Sequence, residues 1–307
     1  MEKNGIDKQS RATGRLPWRR SSFIAVLVLA GLLCRGPGAA PRAGTSAASL
    51  FAKKNLVAWC IVPFDAKKRG PEERARMLER LGISRLAYDW RDEHIPTFDE
   101  EIEAMKRHHI EIVAWWFPTE LNPAARRILE ALERHHLKCQ LWVAMADPAP
   151  QAALSADKVK AATAQLKPIA IAAAKLGCKL SLYNHGGWFG DPLNQIAILH
   201  ELKLPNVGIV YNFHHGHDDI DRFPQLFKQM QPYLLAINLN GMVKNGEQLG
   251  KKIITLGQGD EELPMMRVIA NSGWHGPVGI LDHRPETDSE ITLRENLEGL
   301  EQLKGRL

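Results

Sequence analysis

The chain has 307 residues, of which 45% are hydrophobic and 24% charged, the composition of a globular protein with room for a large core. Its net charge of +5 is gathered at one end: residues 1–48 hold eight basic and two acidic residues, a net +6, so the remainder carries −1. A body without basic excess has nothing to grip a phosphate backbone, which sets nucleic acid aside and favours a small-molecule partner.

The first segment reads as an export signal. Basic residues end at Arg19-Arg20, the apolar run Phe23–Cys34 follows, and small residues dominate from Gly36 to Ala48. A dozen apolar residues are too few to span a bilayer comfortably and suit the central region of a signal peptide. The expectation is a signal peptide and linker over residues 1–48, cleaved within 36–49. The mature protein is then periplasmic or extracellular and has no membrane partner. An uncleaved anchor is the alternative. The Arg19-Arg20 pair hints at twin-arginine export, although Phe23 stands one residue late.

From residue 53 to 305 apolar runs alternate with amphipathic ones. In chain order the expected strands are Leu56–Val62, Arg85–Asp89, Glu111–Phe117, Cys139–Ala144, Lys179–Tyr183, Val207–Asn212, Leu234–Leu239 and Pro277–Asp282. Between them helices are expected at Pro71–Leu81, Asp99–His108, Ala124–His135, Ala156–Lys175 and Phe223–Met230. Pro71 opens the first helix with Glu72 and Glu73 in its first turn; Gly82 closes it and Gly177 closes the fourth. Near-continuous apolar strands covered by helices imply a parallel sheet, and eight such units in about 250 residues imply an α/β fold of one (β/α)8 TIM barrel. No glycine-rich phosphate loop follows the first strand, where Val62-Pro63-Phe64-Asp65 stands instead, so no nucleotide cofactor is expected. Cys60, Cys139 and Cys178 make an odd number without regular spacing. Buried free thiols are expected, and Cys139 with Cys178 could bridge in an oxidising compartment.

In such a barrel reactive groups come from the C-terminal ends of the strands. Those ends carry Asp65; Asp89, Arg91, Asp92 and Glu93; Trp115, Trp116 and Glu120; Trp142 and Met145; Tyr183, Asn184, His185 and Trp188; Asn212, His214, His215 and His217; Asn238 and Asn240; and Asp282, His283 and Arg284. Amides, imidazoles and carboxylates beside flat aromatic walls suit a sugar, which offers hydroxyls at its edge and C–H groups on its faces. Any single tryptophan is as well explained by core packing. The paired histidines His108-His109 and His135-His136 suit helix C-termini and receive no function. The connection Gly241–Leu263 is long for a compact domain, as functional loops often are.

The succession Tyr183-Asn184-His185, Asn212-Phe213-His214-His215, Asn238-Leu239-Asn240-Gly241, Leu256-Gly257-Gln258-Gly259-Asp260 and Gly276-Pro277 leading to Leu281-Asp282 resembles the xylose-isomerase-like barrels. These include sugar-phosphate isomerases and epimerases, ketose 3-epimerases and endonuclease IV. The resemblance spans Asn55 to Leu303. It implies a divalent metal held by glutamate, aspartate, histidine and glutamate after strands five to eight, where this chain has Tyr183, Asn212, Asn238 and Asp282. Neutral amides replace carboxylate charge poorly. His185 remains, as does His215, which keeps the spacing from Asn212 that relatives use near the substrate.

The expected function is therefore that of an exported sugar isomerase or epimerase, acting by proton transfer next to a carbonyl with a degenerate metal site. Alternatives are a sugar lyase, a carbohydrate-binding barrel that lost its chemistry and, least supported, an endonuclease. Catalysis is expected from His185, His215 and Asp282. These same three residues are the candidate ligands for weakly held Mn²⁺, Mg²⁺ or Zn²⁺. Substrate binding is expected from Trp115, Trp142, Asn184, Trp188, Asn212, Asn238, Asn240, His283 and Arg284.

Overall fold

The computed structural model describes residues 47–307. The export segment lies outside the described residues, apart from Ala47 and Ala48, which open the short helix α1 (Ala47–Leu50). Eight strands follow: β1 (Leu56–Trp59), β2 (Arg85–Tyr88), β3 (Glu111–Trp116), β4 (Gln140–Val143), β5 (Lys179–Tyr183), β6 (Val207–Asn212), β7 (Leu234–Leu239) and β8 (Val278–Leu281). All pair in parallel, in sequence order, and β1 closes on β8 with Leu56 opposite Val278. The expected (β/α)8 barrel is thus the observed one.

The helices are α2 (Pro71–Leu81), α3 (Phe98–Arg107), α4 (Pro123–Arg134), α5 (Ser155–Lys175), α6 (Gly187–Gly190), α7 (Pro192–Leu202), α8 (Phe223–Met230), α9 (Glu262–Asn271) and α10 (Ser289–Lys304). Periodicity named α2–α5 and α8; α7, α9 and α10 fill the remaining units. Local chemistry sets their ends. Pro71 needs no N–H partner in the first turn of α2, and Gly82 ends that helix at φ 67°, a conformation glycine adopts without strain. Asn122 caps α4 by accepting from the Ala125 amide at 2.9 Å.

Strand geometry sorts the side chains. Alternate residues of a strand point to opposite faces, so one set fills the barrel and the other packs under the helices. The outward set includes Leu86, Tyr88, Trp115, Leu141, Leu180, Ile209, Ile237 and Ile280, packed into one cluster with the apolar helix faces. A second cluster fills the barrel: Val57, Trp59, Ala87, Val113, Trp142, Tyr183, Val210, Ala236 and Leu281, with Trp116 at its edge. The regular ladder of β1 stops at Trp59, because Cys60 turns left-handed at φ 56°, although the apolar run continues to Val62.

Candidate active site

The barrel interior is a stack of aromatic rings. Trp59 and Trp142 lie 4.0 Å apart between ring centres, Trp116 meets Trp142 edge-on at 4.8 Å, and Tyr183 stacks parallel to Trp142 at 6.2 Å. Trp142 is buried within this stack and its indole N–H donates to Gln140 Oε1, so it supports the site from below and is not a wall that a sugar can touch.

Histidines gather at the C-terminal mouth. His185 and His215 are 4.4 Å apart between ring centres, and Tyr183 meets the edge of His215 at 5.6 Å. His214 lies against His215 at 3.7 Å, and His283 stacks on Phe64 at 4.0 Å. His283 is held left-handed at φ 60°, next to Cys60, whose carbonyl accepts its amide. Two non-glycine residues in that conformation on adjoining strands are a local backbone cost of the kind that clusters at functional sites. Burial, then the neighbouring His185, Lys252 and His283, push the His215 imidazole down to about 2, so it is neutral at ordinary pH. His185 and His283 are also lowered, in each case chiefly by burial. Of the expected site, the mouth brings together His185, His215 and His283.

The remaining expected residues stand elsewhere, for reasons of pleat and hydrogen bonding. Leu281 is the last inward residue of β8, so Asp282 faces outward towards α10. There it is buried and accepts from the Ser289 hydroxyl. Burial raises its carboxyl to about 7, but that carboxyl serves the barrel wall and not the mouth. Arg284 turns with it and pairs with Glu295 on α10 at 2.6 Å. Trp115 alternates with the inward Trp116, so it is buried against Tyr88 and Phe98 in the helix layer. Trp188 packs against the same outer cluster.

The amides form a closed network. Asn212 Nδ2 donates to the Tyr183 hydroxyl at 2.6 Å, and Asn238 Nδ2 donates to Asn212 Oδ1 at 2.8 Å. Asn184 clamps the Asn212 backbone from both sides, donating to its carbonyl and accepting from its amide. Asn240 fastens the long β7–α9 connection by donating to the Lys252 carbonyl and accepting from the Ile254 amide. These side chains are buried and spent on the protein itself, so the substrate contacts expected of Asn184, Asn212, Asn238 and Asn240 give way to a structural role. Only Asn238 Oδ1 among their side-chain polar atoms is left unpartnered.

This network also decides how the interior suits a metal. Tyr183, Asn212 and Asn238 bring no fixed negative charge, and the Asn212 amide N–H group points at the Tyr183 hydroxyl and that of Asn238 at Asn212 Oδ1, where a cation would need oxygen lone pairs. Burial pushes the Tyr183 phenol far above its ordinary value, which keeps it protonated. The ligand set His185, His215 and Asp282 is not assembled, since Asp282 faces the helices. Among the described residues no three His, Cys, Asp or Glu side chains converge as a metal site requires.

One group named among the strand ends, Asp89, has no role in the expected site. Asp89 follows the outward Tyr88 of β2, so alternation from Ala87 turns it inward. It is buried; its Oδ1 accepts from the Val62 amide at 3.3 Å, and its Oδ2 has no partner. Burial raises its carboxyl to about 7, against the opposing pull of Arg91 and the Val62 amide. The signal was legible: a carboxylate one step beyond a strand, on the inward parity. The family pattern, which looks to strands five to eight, drew attention away from it.

No family model matches the sequence, and none of the curated proteins matches it. Solved structures do match by shape. A 3-keto-D-glucoside 4-epimerase from E. coli superposes with a TM-score of 0.60 at 14% identity, over 82% of this chain and 99% of that one. The chain shares the closed (β/α)8 barrel fold of these structures. An IolI protein with a bound zinc atom gives 0.62 at 14% identity over 82% and 98% of the two chains. A D-allulose 3-epimerase from Methylomonas, in complex with D-allulose, gives 0.60 at 14% over 81% and 96%. At such identity the likeness concerns the barrel, and each site's chemistry must be argued from its own residues.

Proposed function

We propose that this protein moves a proton at a carbon next to a carbonyl in a small carbohydrate, as sugar epimerases and isomerases do, and that Asp89 is the base. The observation that carries this reading is the unpartnered Asp89 Oδ2, a buried carboxyl at the barrel mouth held near neutral pKa. A base is most effective when its pKa lies near the working pH. In its ionised form Asp89 takes the carbon-bound proton, and the bonding pair moves onto the carbonyl oxygen to give an enediolate. The neutral His215, with an unpartnered buried Nε2, holds the carbonyl oxygen by a hydrogen bond, and His185 stands beside it. Asp89 then returns its proton to the neighbouring carbon, which isomerises the sugar; where solvent instead protonates the opposite face of the same carbon and Asp89 releases its proton to solvent, the carbon is epimerised. Trp116 and Phe64 supply apolar surface at the mouth. No divalent metal enters this account, because the interior donor set does not fit one.

The test is a panel of keto-sugars and 3-keto-glycosides incubated in D₂O and followed by ¹H NMR. Incorporation of deuterium at one position supports proton transfer. A second reading is a carbohydrate-binding barrel without turnover, favoured by the way the amide network replaces charged donors. It requires binding, seen as a change in tryptophan fluorescence, with no deuterium incorporated.

Export is part of the proposal. The basic, apolar and small-residue succession over residues 1–48 supports a mature protein outside the cytoplasm. Mass spectrometry of native protein tests this. A new N-terminus within residues 36–49 supports it, and an intact Met1 opposes it.

A further inference from the structure

At the opposite, N-terminal end of the barrel lies a feature that the proposed reaction does not use. Gln140 pairs with Lys179 across β4 and β5, so the residues just before them, Cys139 and Cys178, are neighbours on adjacent parallel strands. Both point outward, in phase with Leu141 and Leu180, and both belong to the outer cluster. Neighbouring strands lie about 4.8 Å apart, within the Cα separation that a disulfide spans. Both thiols are free and buried, and the Cys178 thiol donates to the Leu137 carbonyl at 3.8 Å. Cys139 also lines a surface cleft of about 300 Å³, together with Arg85, Glu111, Lys138 and Lys179. Reagents therefore have a way in, and each sulfur has a partner within reach.

We propose that Cys139 and Cys178 are a dithiol modification site, oxidised to an intramolecular disulfide by exchange with a low-molecular-weight disulfide. Cys178, whose neighbours Gly177 and Lys179 line the cleft, attacks the reagent's S–S bond. Its sulfur forms a mixed disulfide, and the first reagent thiol leaves with the proton Cys178 gave up. Cys139 then attacks the Cys178 sulfur, and the second reagent thiol leaves with the Cys139 proton. The protein pair loses two electrons and two protons, and the reagent disulfide gains both. Cys178 suits the first step because the neighbouring Cys139, and then Lys138, lower its thiol to about 7, whereas Cys178 and burial push the Cys139 thiol well up. Cys60 stands at the opposite, C-terminal end of the barrel beside Asp89, with neither of the other two cysteines next to it, so it has no thiol to bridge to.

The full-length protein is equilibrated in oxidised and reduced glutathione, quenched by alkylation and mapped by mass spectrometry. The expected result is a cross-linked peptide pair holding Cys139 and Cys178, with Cys60 alkylated. Closing this loop is expected to raise Tm by roughly 5–10 °C, reversed by dithiothreitol. Cys139→Ser and Cys178→Ser, each checked for folding by circular dichroism, should lose the Tm response. Two free thiols across the glutathione range, a bridge formed only in denaturant, or a bridge involving Cys60 would each overturn the proposal. This outcome does not depend on whether the barrel mouth turns over a sugar.

Discussion

Asp89 and His215 rise from opposite sides of the barrel, since β2 and β6 are four strands apart in a closed ring of eight. Asp89 directly follows β2, and His215 lies in the turn after β6. In the proposed reaction the substrate stands between that buried carboxyl and the neutral imidazole. Reactions at a carbon beside a carbonyl need that arrangement: a base at the C–H bond and a hydrogen-bond donor at the oxygen.

The buried Asp89 carboxyl makes stability depend on pH. Its pKa rises from an ordinary value near 3.9 to about 7 on folding, so the folded state binds the proton more tightly. The contribution is fully present below pH 4 and is lost as pH rises through 7, a span equivalent to about 4 kcal/mol. Asp89→Asn removes this loss. The variant is expected to melt higher than wild type at pH 8, with the gap narrowing by pH 5; calorimetry at both pH values checks it. A constant gap across that range would mean that Asp89 does not titrate there.

Asp282→Asn separates the barrel wall from the mouth. Asp282 is held by the Ser289 hydroxyl and faces α10, so the variant should alter thermal stability and leave turnover and ligand affinity near wild type. Loss of activity in a protein of unchanged Tm would restore Asp282 to the site.

The tryptophans of β3 make a paired test. Trp115→Ala opens a cavity against Tyr88 and Phe98 and should cost about 3–5 kcal/mol. Trp116→Ala, at the half-buried edge of the mouth, should cost less stability and instead weaken sugar binding, read by fluorescence titration. Equal losses of stability with binding intact would contradict the inward and outward assignment.

Chelation tests the donor set. The Tyr183–Asn212–Asn238 network presents neutral groups already bonded to one another. Turnover and sugar affinity should therefore stay within about two-fold after dialysis against EDTA, and added Mn²⁺ should not raise them. Elemental analysis showing one tightly held divalent ion per chain would refute this.

Much of the barrel was legible because the evidence for it is local and repeated: eight apolar runs, helix signals such as Pro71 and Gly82, and no phosphate loop. What the family pattern obscured was parity. Asp282 matched a ligand position by order along the chain, yet alternation from Leu281 sends it to the helices, and alternation from Ala87 brings Asp89 in. Trp115 and Trp116 divide by the same rule. The inward saturation of Asn184, Asn212 and Asn240 was not readable at all, because it depends on hydrogen bonds between residues up to 29 positions apart.

The most direct measurement of the central claim is the rate of solvent deuterium incorporation into a substrate sugar, taken from pH 5 to pH 9 for wild type and Asp89→Asn. The base must be ionised to act, so the wild-type rate should rise with pH through an apparent pKa near 7 and then level off. Asp89→Asn should lose about 100- to 10,000-fold at every pH while still binding the sugar. Incorporation by the variant at the wild-type rate, or a wild-type profile flat across pH 7, would show that Asp89 is not the group that takes the proton.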